Sequence, residues 1–385
     1  MSTFLYLLLV GAFITKTTSY TCPSGCDCAY YNSIHTLECN SQDLQEIPQN
    51  IPEWTTLLEL DANELTELDL NFCDVCIYFE DFSFRYNRIS NIIIKKNITS
   101  RYDKSRNLRC QDSTSIFPRV VNVDLKGNLI QKLPKCLWFV WLVLKILDLR
   151  ENQIRSIQDL NLSGYFSSTN SMEELYLGGN RISQLIRKDL YSRTLALKRL
   201  RILDLSRNKI HTIDSGVFTF LDEIVDINLS DNKIGFLSDF TFVTRGEKLE
   251  TISLRRNYID WISIHAFAGL PNLKRLDLSY NEISCLRPNT FSTCQVPNLN
   301  LLIPGLNFVN PELVHFHRRF KVNLSGLQYL QLRSNKWHCD CQLGDLISEQ
   351  HSTSRIVQQT LLKCYTPMEY QNRSLSSTLA LLNCQ

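Results

Sequence analysis

The chain has 385 residues, 44% hydrophobic and 21% charged, with 13 glycines and 11 prolines. That composition excludes a disordered, collagen-like or low-complexity protein, and the length allows several ordinary domains or one long repeat array. With 41 basic against 39 acidic side chains the formal charge is +2, so no bulk field points to DNA, RNA or an anionic membrane.

Residues 4–14 (FLYLLLVGAFI) form an apolar run followed by Thr17, Thr18 and Ser19. This reads as a secretory signal peptide over residues 1–19, cleaved after Ser19. A secreted chain, or the outer part of a truncated membrane receptor, follows from it, and disulfides are expected among the 14 cysteines. Residues 20–52, with Cys22, Cys26, Cys28 and Cys39, are expected to form an N-terminal cap. The most apolar later stretch, residues 136–144 (CLWFVWLVL), stops at Lys145, short of the ~20 residues of a spanning helix, so no membrane span is expected in this chain.

Residues 53–335 carry a repeat, L-x-x-L-x-L-x-x-N-x-L. Leu144, Leu147, Leu149, Asn152 and Ile154 fit it, as do Leu273, Leu276, Leu278, Asn281 and Ile283. The frame places asparagines at Asn63, Asn87, Asn128, Asn152, Asn180, Asn208, Asn232, Asn257, Asn281, Asn307 and Asn335. In each x-L-x-L segment the leucines of a short strand point inward and the intervening residues outward. The asparagine sits where the chain bends, and its amide both donates and accepts, so successive copies can form a ladder. About 11–12 coils follow, stacked because none can bury its apolar face alone. Phe218, Phe267 and Phe291 recur at matching offsets as interior aromatics.

Two places break the register. Asn87 and Asn128 lie 41 residues apart, so a degenerate coil or an insertion is expected near 88–118, with Cys73, Cys76, Cys110 and Cys136 around it in undetermined pairing. At Asn307 the frame survives, but Pro304 replaces an apolar strand residue. Cys285 and Cys294 share one repeat and suggest a local disulfide, two buried thiols being the other reading. Residues 336–385, with Cys339, Cys341, Cys364 and Cys384, close the array as a C-terminal cap; spacing alone allows three pairings in each cap.

The segments CPSGCDC…LEC…LQEIPQNIP and WHCDCQLGDL…CYTPMEYQNRSL…NC resemble the caps of extracellular leucine-rich-repeat proteins, the second resembling the C-terminal cap of Toll-like receptors. Variable lymphocyte receptors of jawless vertebrates share the short architecture. The resemblance covers essentially the whole mature chain and implies bridges Cys22–Cys28, Cys26–Cys39, Cys339–Cys364 and Cys341–Cys384. It implies an α/β fold: a right-handed leucine-rich-repeat solenoid, a curved horseshoe with a parallel β-sheet on its concave face. Toll-like receptors usually carry more repeats, a membrane span and a cytoplasmic signalling domain, which this sequence lacks.

Nothing resembles catalytic machinery. H-E-x-x-H, G-x-S-x-G and G-x-x-x-x-G-K-[ST] are missing, and His315 and His317 read as a solvated loop. Neither an enzyme, a metal nor a cofactor is expected. Asp124, Asp148, Asp204 and Asp277 form an outward column, beside Arg85, Lys126, Arg150, Arg255 and Arg333 two residues before their asparagines. Tyr280, Leu301, Ile303, Leu306 and Tyr329 map to outward positions of the last coils and are the candidate ligand-binding residues. Glycosylation sequons lie at Asn97, Asn161, Asn228, Asn323 and Asn372, with Asn228 expected in the middle of the sheet. The reading is a recognition module of innate immune type, with a protein or microbial ligand and a homo- or heterodimer through a lateral face. The alternatives are a matrix or adhesion protein, or a non-catalytic subunit of a secreted enzyme. No nucleic-acid partner is expected.

Overall fold

The computed structural model describes residues 22–31, 34–72, 77–94, 117–134, 137–162, 171–190, 197–263, 265–284, 329–331, 333–339 and 362–382. The signal peptide, Cys73, Cys76, Cys110, Cys136, Cys285, Cys294, Cys341, Cys384, Asn97, Asn323 and Phe291 lie outside them. So do Leu301, Ile303, Leu306, Asn307 and the side chain of Tyr329.

A single sheet of twelve strands runs the length of the molecule. In order along it these are β1 (Asp27–Tyr31), β2 (Ile34–Glu38), β3 (Leu57–Glu59), β4 (Asp81–Ser83), β5 (Asn122–Asp124) and β6 (Ile146–Asp148). Next come β7 (Glu174–Tyr176), β8 (Ile202–Asp204), β9 (Asp226–Asn228), β10 (Thr251–Ser253), β11 (Arg275–Asp277) and β12 (Tyr329–Gln331). The hairpin β1–β2 is antiparallel and belongs to the cap; every later pairing is parallel and in register. The middle residue of each three-residue strand points into the core, so Leu58, Phe82, Val123, Leu147, Leu175, Leu203, Ile227, Ile252 and Leu276 make one buried column. Each such side chain contributes about 1.5–3 kcal/mol by leaving water.

The asparagines form a second buried column. Asn208 is typical: its Nδ2 donates to Leu177 O at 2.9 Å and Leu205 O at 3.1 Å, and its Oδ1 accepts from Ile182 N at 3.0 Å. Just before each asparagine the chain passes through the left-handed region, at Ala62, Tyr86, Glu151, Arg207, Asp231, Arg256, Tyr280 and Ser334, with glycine there only at Gly127 and Gly179. The strain is offset by a backbone bond to the next rung, such as Glu151 N to Gly178 O at 2.8 Å and Arg207 N to Ser230 O at 2.8 Å. The sequence offers no common residue type at this position, so the turn is dictated by stacking.

The outer side of the coils is built from turns, short strand pairs such as Gln184–Leu185 with Thr212–Ile213, and helices as brief as Arg187–Leu190. Inside it, Phe218, Phe242 and Phe267 stack face to face, with centroids 5.7 Å and then 5.5 Å apart.

At the first register break β4 pairs directly with β5, and Ile89 N donates to Asn128 Oδ1 at 3.0 Å. Residues 95–116 lie outside the described ones. Beside this break Phe72, Phe79, Phe82 and Phe117 cluster, with rings 4.9–6.1 Å apart. Likewise β11 pairs directly with β12, and Asn335 donates to Leu278 O and accepts from Ile283 N. Asn307 and Pro304 lie outside the described residues.

At the ends, Cys22–Cys28, Cys26–Cys39 and Cys339–Cys364 are bridged. Buried Trp337 opens a strand that pairs with Cys364–Thr366, laying the C-terminal cap over the last rung.

Candidate functional site

Because strands carry inward and outward residues alternately, the first and third residues of each strand pave the concave face of the sheet. Over β4 to β7 this paving sinks into a depression of about 490 Å³, lined by Asp81, Arg85, Asn122, Asp124, Arg150 and Tyr176 among others. Its charges are paired across rungs. Arg85 reaches back one rung to Asp61 at 2.6 Å and forward to Asp124 at 3.7 Å. Arg150 grips Asp148 through Nε at 2.8 Å and through Nη2, and its guanidinium lies 5.1 Å from the Tyr176 ring. Lys126 turns away from Asp124, toward Glu151 at 3.6 Å and the Tyr86 ring at 5.4 Å; only its backbone N–H meets Asp124.

Stacking brings like charges together as well. Burial, reinforced by Asp148 and Asp61, pushes the Asp124 carboxyl up to about 6. Burial and the hydrogen bond from Tyr176 to Glu174, 2.6 Å, push the Tyr176 phenol up to about 12. Burial also raises Asp81, opposed by its bond from Asn122, and raises Asp226, where Asp204 adds to it. For Asp124 the folded-state pKa lies above the unfolded value of about 3.9, so the folded chain holds more protons between pH 4 and 6 and its stability falls as pH rises through that window. Asp124→Asn keeps the acceptor for Lys126 N and removes the charge. In thermal melts it is expected to exceed the native chain at pH 7.5 and to match it at pH 4. Equal melting at both pH values would show that Asp124 carries no such cost.

The sequence-predicted residues fall in three groups. The column Asp124, Asp148, Asp204 and Asp277 and the cations Arg85, Lys126, Arg150, Arg255 and Arg333 lie on or beside the concave face, the asparagines behind it. Tyr280 is exposed at the turn after β11. Leu301, Ile303 and Leu306 lie outside the described residues, and Tyr329 opens β12 itself. Asp81, Asn122, Glu174 and Tyr176 were not singled out by the sequence, although their outward strand positions follow from the same frame. Among the sequons, Asn228 stands on the sheet between Asp204 and Ser253, with Oδ1 accepting from Ser230 N and Oγ. Asn161 gives its amide to Leu133 O, and Asn372 is exposed. No helix among the described residues is long and apolar enough to cross a membrane.

The leucine-rich-repeat family pattern matches residues 195–244 and 247–302. The human leucine-rich repeats and immunoglobulin-like domains protein 1 is 28% identical over 222 residues, 57% of this chain but only 18% of that protein. A zebrafish (Danio rerio) leucine-rich repeat-containing protein 3 is 33% identical over 64 residues, 17% of this chain and 24% of its own. Tsukushi-A of Xenopus laevis is 26% identical over 252 residues, 60% of this chain and 67% of its own length. The chain thus spans less than a quarter of the first two relatives. Among solved structures, a chain of the octameric complex of latrophilin 3, Unc5D and the FLRT2 repeat domain superposes with a TM-score of 0.66 at 20% identity, over 94% of this chain and all of that one. By repeat, fold and bridged ends, the chain is a leucine-rich-repeat solenoid with disulfides near its termini.

Proposed function

We propose that this chain is an extracellular protein-binding module of the adhesion or matrix type, which docks a partner on the concave face without making or breaking a bond. The observation that carries this reading is the unbroken outward paving of the sheet, sunk over β4 to β7 into a depression whose arginines are already oriented by paired carboxylates. Such pre-ordered side chains lose little entropy on docking, and Tyr and Arg are the residue types that dominate interface energies. The solved complex that contains the FLRT2 repeat domain joins it to latrophilin 3 and Unc5D, and two relatives combine such repeats with immunoglobulin-like domains; both support a protein partner. These similarities favour the adhesion or matrix reading over an innate immune receptor, which rests on the resemblance of the C-terminal cap alone.

The test is a glycan wedge. The secreted chain, multimerised, is screened against an arrayed panel of extracellular domains, and each hit is measured by surface plasmon resonance. Asp124→Asn with Lys126→Thr creates a sequon in the depression and is expected to abolish the hit. Gln184→Asn with Ile186→Thr places a glycan on the outer strand Gln184–Leu185 and is expected to preserve it. Retained binding with an occupied wedge at position 124 would overturn docking over the depression.

A further inference from the structure

The turn after β11 gathers three guanidiniums around one exposed ring. Arg255, Arg256 and Arg333 lie 4.3, 5.4 and 5.5 Å from the centroid of Tyr280. Arg256 has an ion-pair partner, Asp231 at 3.6 Å. Arg255 and Arg333 have no carboxylate within 4.0 Å among the described residues, in contrast to Arg85 and Arg150 at the same repeat position. Arg255 reaches the Ser279 hydroxyl at 3.5 Å and the Tyr280 phenol, and Arg333 Nε is buried with no hydrogen-bond partner among the described residues.

The cluster is held by the backbone. Tyr280 N donates to Arg333 O at 3.0 Å and Arg256 N to Ser279 O at 2.9 Å, fixing the three rungs that supply these side chains. The ring draws each guanidinium to it by its quadrupole, worth about 0.5–1 kcal/mol at an exposed site, while the cations repel one another. An anion placed against the ring would relieve that repulsion and complete the missing hydrogen bonds, with charge-assisted geometry that suits a planar carboxylate. The nearby positive charge of Arg333, ahead of that of Arg255, already lowers the Tyr280 phenol.

We propose that Arg255, Arg333 and Tyr280 form an anion-binding anchor on the docking face, which takes side-chain carboxylates from an acidic segment of the protein partner. This rests on the docking reading above and adds the chemistry of what docks at its C-terminal end. Because β11 pairs directly with β12, Arg333 stands beside Tyr280.

The probe is fluorescent hexaglutamate, followed by anisotropy at low ionic strength with the intact secreted chain. Native protein is expected to bind it. Arg255→Gln with Arg333→Gln is expected to weaken binding by about tenfold or more, since two charge-assisted contacts are lost. Tyr280→Ala is expected to weaken it as well, through loss of the ring that orients both cations. Arg207→Gln, at an equivalent turn without a ring, is expected to stay within about twofold. Failure of the native chain to bind hexaglutamate, or equal binding by the double variant, overturns the proposal. So does loss confined to a heparin hexasaccharide, which would assign the anchor to sulfated glycan. The position-124 wedge keeps the two readings apart: if it abolishes partner binding while the arginine variant does not, docking stands and the anchor falls. If the wedge is without effect, docking over the depression falls and hexaglutamate binding still decides the anchor.

Discussion

Asn208→Ala is expected to lower the free energy of unfolding by about 3 kcal/mol or more, whereas Asn91→Ala, at an exposed strand position, is expected to leave it within about 0.5 kcal/mol. Removing the Asn208 amide strands three buried groups at once: the N–H of Ile182 and the carbonyls of Leu177 and Leu205. No water replaces it, because Asn208 is only 7% exposed and its neighbours are core leucines. Each orphaned group costs about 1–3 kcal/mol, against a total stability on the order of 5–15 kcal/mol for a typical domain. Asn208→Asp keeps the acceptor but aims a carboxylate at two carbonyl oxygens, so it is expected to be no milder than alanine. Asn91 stands on an outer strand, away from this ladder. Urea unfolding with disulfides intact measures both. A comparable loss for Asn91→Ala would show that the buried amide bonds are not what the ladder contributes.

The asparagine ladder also marks where sequence reading stops. A rung announces itself by period, because every coil must bury the same inward leucines and satisfy the same bend; hence Leu147, Leu175 and Asn152 were legible, as was the clustering of Cys22 to Cys39. Membership of the stack is another matter. It depends on whether neighbouring backbones pair, as β4 does with β5 across the long gap between Asn87 and Asn128. The left-handed turn residues were invisible for a related reason: Ala62, Tyr86, Glu151 and Asp231 share no chemistry, only a bond to the next rung. On the concave face the column of aspartates and cations was readable. Its pairing follows sequence proximity at Asp148 and Arg150 but not at Asp124, whose 3.7 Å contact comes from Arg85 on the preceding rung. The Tyr280 cluster was hidden further, since Arg255 and Arg333 come from the rungs on either side of it.

Phe242→Ala is the second substitution expected to cost most, about 3–5 kcal/mol. The ring is fully buried and lies between Phe218 and Phe267 with interplanar angles of 5° and 3°. Truncation therefore removes its burial, its two stacking contacts and the support of both flanking rings, and leaves a void in a wall that cannot collapse because each coil is tethered to its neighbours by the ladders. Phe242→Leu refills much of the space and is expected to cost clearly less, while Tyr258→Ala, at a 57% exposed position on the adjoining rung, is expected to stay within about 0.5 kcal/mol. Since a solenoid's stability is a sum of nearest-neighbour terms, the damage should also be local. Amide hydrogen exchange is expected to accelerate across the rungs of Asn232 and Asn257 before those of Asn87 and Asn128. Uniform acceleration along the whole array would mean that the phenylalanine stack is coupled to both caps and that the rungs do not open one neighbour at a time.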